Sequence, residues 1–314
     1  MNQSNLPFFS VVTEVYNREK TIKKTIESIL NQTFQNFEYI IIDFDSEDNS
    51  RFIIENILNI YNHPNVIFLK KNKIENEIER WNTPISYAKG KYIVNIEGDD
   101  WIENNYLNIA QQNLINNINI GLYVGRRFNY QMRFESKIEN KKIFKHFLYL
   151  DFAPPPSEVI FIRLNKNNIP FKYDELNYIW AAEYSLYREI LLDNYDVYFE
   201  TEQNFNFIHR GISYRKHSIK HVRDIITIFN QNKIYLNPLE IKQIEKKISK
   251  QIATIFAYQI LQFNFEFRLF KLFIYNSFKS PITVCYFLKI FMSKIINFLI
   301  NIFNTLKFIV KKFI

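Results

Sequence analysis

The chain has 314 residues, enough for one large domain or two of ordinary size. Apolar residues at 47% and charged residues at 23% exclude wholesale disorder and a multispan membrane protein, and only 5 Gly exclude a collagen-like or linker-like chain. Net charge is +8, yet residues 241–314 set 12 basic residues against Glu245 and Glu266, giving +10 there and −2 over residues 1–240.

A single cysteine, Cys285, allows neither an internal disulfide nor a thiolate metal cluster. The opening MNQSNLPFF has no basic start and no long apolar run, so no secretory signal is expected and the compartment is read as the cytoplasm.

In chain order, residues 9–16 (FSVVTEVY) form a β-branched apolar run and predict a strand. Residues 21–33 space Ile22, Ile26, Ile29 and Leu30 as one face of a helix. A second strand (37–42), a second helix (51–61) and a third strand (65–69) follow. Residues 75–88 suit a helix that Pro84 must start, kink or interrupt. Residues 91–96 (KYIVNI) predict a fourth strand, and 102–116 another helix.

Strands alternating with helices indicate an α/β unit with a mostly parallel sheet. Residues 120–180 are less regular; helix is expected at 180–193, strand at 195–199, and helix alone beyond a boundary near residues 237–238.

In parallel sheets, ligands sit at the carboxyl ends of the strands. Three polar or acidic clusters fall at such ends: Glu14 to Asn17, Asp43 to Asp48, and Glu97-Gly98-Asp99-Asp100. The last suits a hard divalent cation that takes oxygen ligands and bridges phosphates; it equally suits a solvated acidic turn.

The first half resembles the family 2 glycosyltransferases of the GT-A fold. SVVTEVYN (10–17) is similar to the family's opening strand, SILNQTFQNFEYIIIDFDSEDNS (28–50) to its helix, second strand and acidic loop, and AKGKYIVNIEGDDW (88–101) to its Asp-x-Asp region. Weaker likeness runs on to about residue 220. The resemblance implies a GT-A domain over residues 1–237 and inverting transfer of a sugar from a nucleotide-sugar donor, usually uridine-linked, to an acceptor hydroxyl. Mn²⁺ or Mg²⁺ would neutralise the leaving diphosphate.

By position it implies Asp100 and Asp99 as metal ligands, with Asp99 also near the ribose, and Asp43 in the base-binding loop beside Asp45. Tyr16 and the neighbouring Asn17 fall where the nucleobase stacks. Arg80 falls at the diphosphate, and Arg215 and His217 where members carry a basic motif near the phosphates. Glu183 is the candidate general base, standing without the usual paired acid. Three departures mark the chain: Phe44 replaces an acid that often bonds the base, Glu14 takes a position usually held by Pro or a small residue, and Glu97 replaces the first Asp.

Residues 286–314 place Lys289, Ser293, Asn297, Asn301, Asn304 and Lys311 as a polar stripe on an otherwise apolar helix. The run 295–306 has no charge, but its twelve residues fall short of the ~20 needed to span a bilayer. The tail therefore reads as interfacial, its lysines toward anionic headgroups; packing on its own domain or on a second subunit is the other reading.

The expected protein is a peripheral enzyme on the inner face of a cell membrane. It would extend a capsule, a lipopolysaccharide or another lipid-linked glycan, with no nucleic acid as partner and an oligomer left open. A catalytically degenerate subunit of a polysaccharide synthase, and a nucleic-acid binder using the basic tail, are the rivals.

Overall fold

The computed structural model describes residues 6–125, 137–148, 159–178, 182–200, 205–207 and 218–261. Two compact units divide the chain, Met1–Gly211 and Ile212–Ile314.

The first unit is built on β1 (Phe9–Val15), β2 (Phe37–Phe44), β3 (Val66–Lys71) and β4 (Tyr92–Asn95). Every residue of β1, β2 and β4 is buried, as strands covered on both faces must be. Between them run α1 (Ile22–Leu30), α2 (Ser50–Tyr61) and α3 (Glu77–Tyr87). Helix α1 turns Ile22, Ile26, Ile29 and Leu30 inward, the face its spacing predicted. Pro84 lies inside α3 and is buried there.

The remaining elements of this unit are β5 (Asp100–Ile102), α4 (Tyr106–Asn116), β6 (Ile120–Val124), β7 (Lys137–Ile138), α5 (Asn140–Leu148), β8 (Val159–Ile162), α6 (Glu183–Leu192), β9 (Asp196–Phe199) and β10 (Phe205–Phe207). The main sheet has the order β3-β2-β1-β4-β8-β6-β9-β7. Strand β8 runs antiparallel between β4 and β6, and β6 and β9 are parallel. Strands β1 to β4, β6 and β9 thus all end at one edge. A separate antiparallel pair joins β5 to β10, with Asp100 opposite Phe207.

The opposite, amino edge is closed by a buried carboxylate. Glu38 Oε1 accepts from the Ser10 hydroxyl (2.5 Å) and from the backbone N–H groups of Lys89 (2.6 Å) and Gly90 (3.2 Å). A β-carbon on Gly90 would come 2.5 Å from the Ser10 nitrogen, so only glycine admits this approach. Phe8, Phe9, Phe34 and Tyr92 pack their rings around the same edge.

In the second unit, α7 (Ser218–Asn232) and α8 (Pro238–Leu261) are joined through a 3₁₀ turn, Lys233–Tyr235. The pair at 237–238 is a helix start and not a linker. The Asn237 side chain accepts from the N–H groups of Leu239 and Glu240, and Glu240 accepts from the Asn237 N–H, a reciprocal cap with proline at the first helical position. The compact units part between Gly211 and Ile212, ahead of α7. The tail at 286–314 lies outside the described residues. Among those described, no helix is long and apolar enough to cross a membrane.

Candidate active site

Chain reversal at the carboxyl ends of β1 and β2 forces two residues into left-handed backbone, Asn17 (φ 54°) and Asp45 (φ 62°). Asn and Asp tolerate that region because their short polar side chains bond locally. The two loops are laced together: the Asn17 N–H donates to Ser46 Oγ (3.0 Å), and the Glu47 N–H donates to Asn17 Oδ1 (2.8 Å). Tyr16 is half-buried, its hydroxyl 3.4 Å from Glu47 and its ring 5.1 Å from the Lys73 ammonium.

Asp43 ends fully buried. Its Oδ2 takes both Nε (2.9 Å) and a terminal nitrogen (2.6 Å) of Arg51, from the first turn of α2, and the Ser46 N–H at 3.4 Å. Its Oδ1 is buried with no hydrogen-bond partner. A buried carboxylate oxygen left unpaired is costly unless a ligand donates to it. Asp45 is mostly exposed, with Arg51 3.6 Å away. Phe44, between them, is fully buried in the core.

The acidic turn after β4 is drawn tight. The Asp100 N–H donates to the Glu97 carbonyl (2.9 Å), and the Thr21 hydroxyl donates to the Gly98 carbonyl (2.8 Å). A β-carbon on Gly98 would sit 3.0 Å from Arg18 Cγ and 3.3 Å from the Glu14 carbonyl. Asp99 stays a quarter exposed and faces Arg18 at 3.7 Å. Asp100, 1% exposed, opens β5. Trp101 lies against α1, the Lys24 ammonium 3.4 Å above its ring.

Burial first, then the charges of Asp100, Glu14 and Asp99, push the Glu97 carboxyl well above the usual carboxylate range. Glu14 is also raised by burial, against the downward pull of Arg80 and Arg18. Arg80 reaches this cluster from α3: its Nε donates to Glu14 Oε2 (3.3 Å) and another nitrogen to the Ile74 carbonyl (2.9 Å). The structure thus gathers Glu14, Asn17, Arg18, Asp43, Arg80, Glu97, Asp99 and Asp100 at one sheet edge, with a cavity of about 210 Å³ opening beside Arg18 and Asp99.

Glu183 is the first residue of α6, within electrostatic range of Tyr173. Arg215 and His217 lie outside the described residues. The sequence flagged Glu14 as a departure but gave no sign of its pairing with Arg80. Arg51 was legible only as the start of a helix, though an arginine opening a helix beside an acidic loop is a usable signal.

The donors at the turn are all carboxylate oxygens, the chemistry of a hard cation. Among the described residues no three Asp, Glu, His or Cys side chains are grouped to hold a metal ion. The adjacent carboxyls of Asp99 and Asp100 fit an ion of the Mg²⁺ or Mn²⁺ type, which needs one or two carboxylates besides substrate phosphates and water.

The profile of glycosyl transferase family 2 matches residues 10–180. The chain is 30% identical over 182 residues to the UDP-Glc:α-D-GlcNAc-diphosphoundecaprenol β-1,3-glucosyltransferase WfgD of Escherichia coli, covering 55% of this chain and 68% of WfgD. Its fold is similar to that of S. aureus TarS 1–349 in complex with UDP (TM-score 0.56, 14% identity, 91% of this chain and 90% of that one). It is also similar to the mannosyltransferase PcManGT from Pyrobaculum calidifontis in complex with GDP-Man and Mn²⁺ (TM-score 0.58, 12% identity, 93% and 87%). The GT-A sheet, the acidic turn at its carboxyl edge and the profile match over more than half the sequence agree: the chain belongs to glycosyl transferase family 2.

Proposed function

We propose that the protein is an inverting, metal-dependent glycosyltransferase that moves a sugar from a uridine-diphosphate donor to a hydroxyl of a lipid-linked glycan during surface-polysaccharide assembly. The observation that carries the donor assignment is Asp43. One oxygen is locked by Arg51; the other is buried and unpartnered at the ligand edge of the sheet. It accepts the ring N–H of a base such as uracil; thymine and guanine also offer one, whereas adenine and cytosine lack it. Tyr16 lies against the base, and Asp45 borders it.

Asp99 and Asp100 hold the divalent ion, and Glu97 stands beside them. When bound, that ion supplies neutralisation of the charge that develops on the departing diphosphate. Arg80 is assigned to the phosphates, and the family resemblance assigns Arg215 and His217 the same task. Glu183 takes the proton of the acceptor hydroxyl as that oxygen bonds to the anomeric carbon. The carbon–phosphate-oxygen bond breaks, its electron pair leaves with the nucleoside diphosphate, and a single displacement inverts the anomeric centre. The name of the relative WfgD supports the choice of acceptor.

The tail at 286–314 holds the enzyme on the inner face of the membrane. Replacing Lys289, Lys294, Lys307, Lys311 and Lys312 by Gln should weaken binding to anionic vesicles and leave binding to neutral ones nearly unchanged.

The test is release of nucleoside diphosphate from UDP-glucose, UDP-GlcNAc and GDP-mannose, with Mn²⁺ or with chelator, in the presence of an N-acetylglucosaminyl-diphosphate lipid. Metal-dependent turnover of a UDP-sugar, with an inverted linkage in the product, is the expected result. Failure of every donor to bind or turn over with metal present overturns the reading.

A further inference from the structure

Two residues of α3 serve two different parts of the site. Arg80 turns to Glu14 at the carboxyl end of β1. Asn82, one position past Trp81, turns instead to the segment before α6. Its Nδ2 donates to the Tyr173 carbonyl (2.8 Å), and its Oδ1 accepts from the Tyr173 N–H (2.9 Å). One carboxamide thus satisfies both peptide groups of a single residue, as a neighbouring strand would. The orientation is unambiguous, since one partner only accepts and the other only donates.

From Tyr173 two connections run on. Its buried side chain packs edge-on against Trp81 with ring centroids 5.4 Å apart. The next residue, Asp174, donates its N–H to Ser185 Oγ (2.9 Å), in the first turn of α6. Ser185 in turn donates to the Ala182 carbonyl (2.6 Å), which precedes Glu183. A continuous set of hydrogen bonds therefore links α3 to the start of α6.

We propose that Asn82 is a positioning residue for the acceptor step: by clipping Tyr173 it fixes where Glu183 stands relative to the acidic turn. This rests on the reading of Glu183 as the base. Asn82 makes its bonds to the chain itself, so its removal acts on the chemistry of the acceptor and not on retention of the donor. A displacement of about 1 Å in a reacting group is enough to cost on the order of 10²-fold in rate.

The test is a double-mutant cycle between Asn82→Ala and Glu183→Gln. It is read as turnover of UDP-glucose with the N-acetylglucosaminyl-diphosphate lipid and as UDP binding with Mn²⁺. Asn82→Ala should lower kcat by about 10–100-fold, with donor KM and UDP affinity within about twofold. In the Glu183→Gln background the same change should cost less than about twofold, because the two residues act as one unit. An equal loss in both backgrounds, or a loss that appears as donor KM, overturns the proposal. If Asn82→Ala fails to fold, Ser185→Ala cuts the same connection one bond later, and the same cycle decides. A silent Glu183→Gln removes the base assignment itself. A large Glu183→Gln loss with an additive Asn82→Ala loss overturns only the role of Asn82.

Discussion

Two acidic regions share one edge of the sheet, and their charge is handled in opposite ways. Around Asp43 the carboxylate is matched by Arg51, and the flanking loops are tied by side-chain bonds to backbone N–H groups. Around Glu97 the acids are packed closely: Glu14, Glu97, Asp99 and Asp100 crowd together, with Arg80 paired to Glu14 and Arg18 facing Asp99. The first region is braced before any ligand arrives, with one oxygen of Asp43 left to take a donor. The second crowds four carboxyl groups together, an arrangement that a bound cation would relieve. A recognition surface gains from being rigid beforehand, whereas a catalytic electrostatic site gains from charge whose balance completes only with metal and diphosphate in place.

Asp100→Ala should give the largest effect. It removes the buried carboxylate proposed to hold the ion, so turnover should fall by about 10²–10³-fold, and Mn²⁺ should no longer tighten UDP binding. Circular dichroism should show an intact fold. Wild-type turnover in the variant with the metal chelated would break the contrast.

Asp43→Asn probes the balanced region. A hydrogen bond to a charged group contributes about 1.5–3 kcal/mol, so UDP affinity should drop by roughly 10–100-fold while the Mn²⁺ enhancement of binding persists. Arg51 is a third exposed, so losing its partner does not strand a buried charge. Calorimetry that finds the metal enhancement lost as well would show the two regions to be one.

Gly98→Ala is milder. The added carbon meets the flexible Arg18 side chain at 3.0 Å and the Glu14 backbone at 3.3 Å. Donor KM should rise a few-fold, by roughly the 1 kcal/mol typical of a tight contact, with UDP binding in metal-free buffer unchanged.

The gentlest effect is a slope. Glu97 and Glu14 hold their protons in the folded state at pH values where the unfolded chain has released them. With folded pKa values raised, their contribution to stability is complete below the ordinary value of 4.5 and is lost as pH rises through the folded values. In chelator, the melting temperature should therefore decline as pH rises above the ordinary carboxylate value of 4.5. Glu97→Gln, which mimics the protonated acid, should flatten that decline and Mn²⁺ should offset it. A wild-type profile as flat as that of the variant would mean that Glu97 is ionised in the fold.

Legibility followed the same division. The first four strands and three helices could be read because each fully buried strand is a β-branched run and each ends at a polar cluster. Residues 120–180 could not, since β6, β7 and β8 are 5, 2 and 4 residues long, too short for a period to declare itself. Site residues carried by local motif, such as Asp43 and the Glu97–Asp100 turn, were visible. The pairing of Arg80 with Glu14 joins residues 66 positions apart, and the Asn82 clip joins residues 91 apart. No local pattern records such partners, and a lone asparagine after a tryptophan gives no sign that both ends of its amide are occupied.

The Glu38 node at the amino edge, with Ser10 and the N–H groups of Lys89 and Gly90 closing on one oxygen, bears on how this enzyme can change. It pins β1, β2 and the approach to β4 together at the pole farthest from the ligand edge. Stability and chemistry are thereby housed at opposite ends of the same three strands. Substitutions at the carboxyl ends can alter which sugar is handled without loosening the sheet, while substitutions at Ser10, Glu38 or Gly90 are closed to drift. Departures such as Glu14 and Glu97 are the kind of change this separation permits.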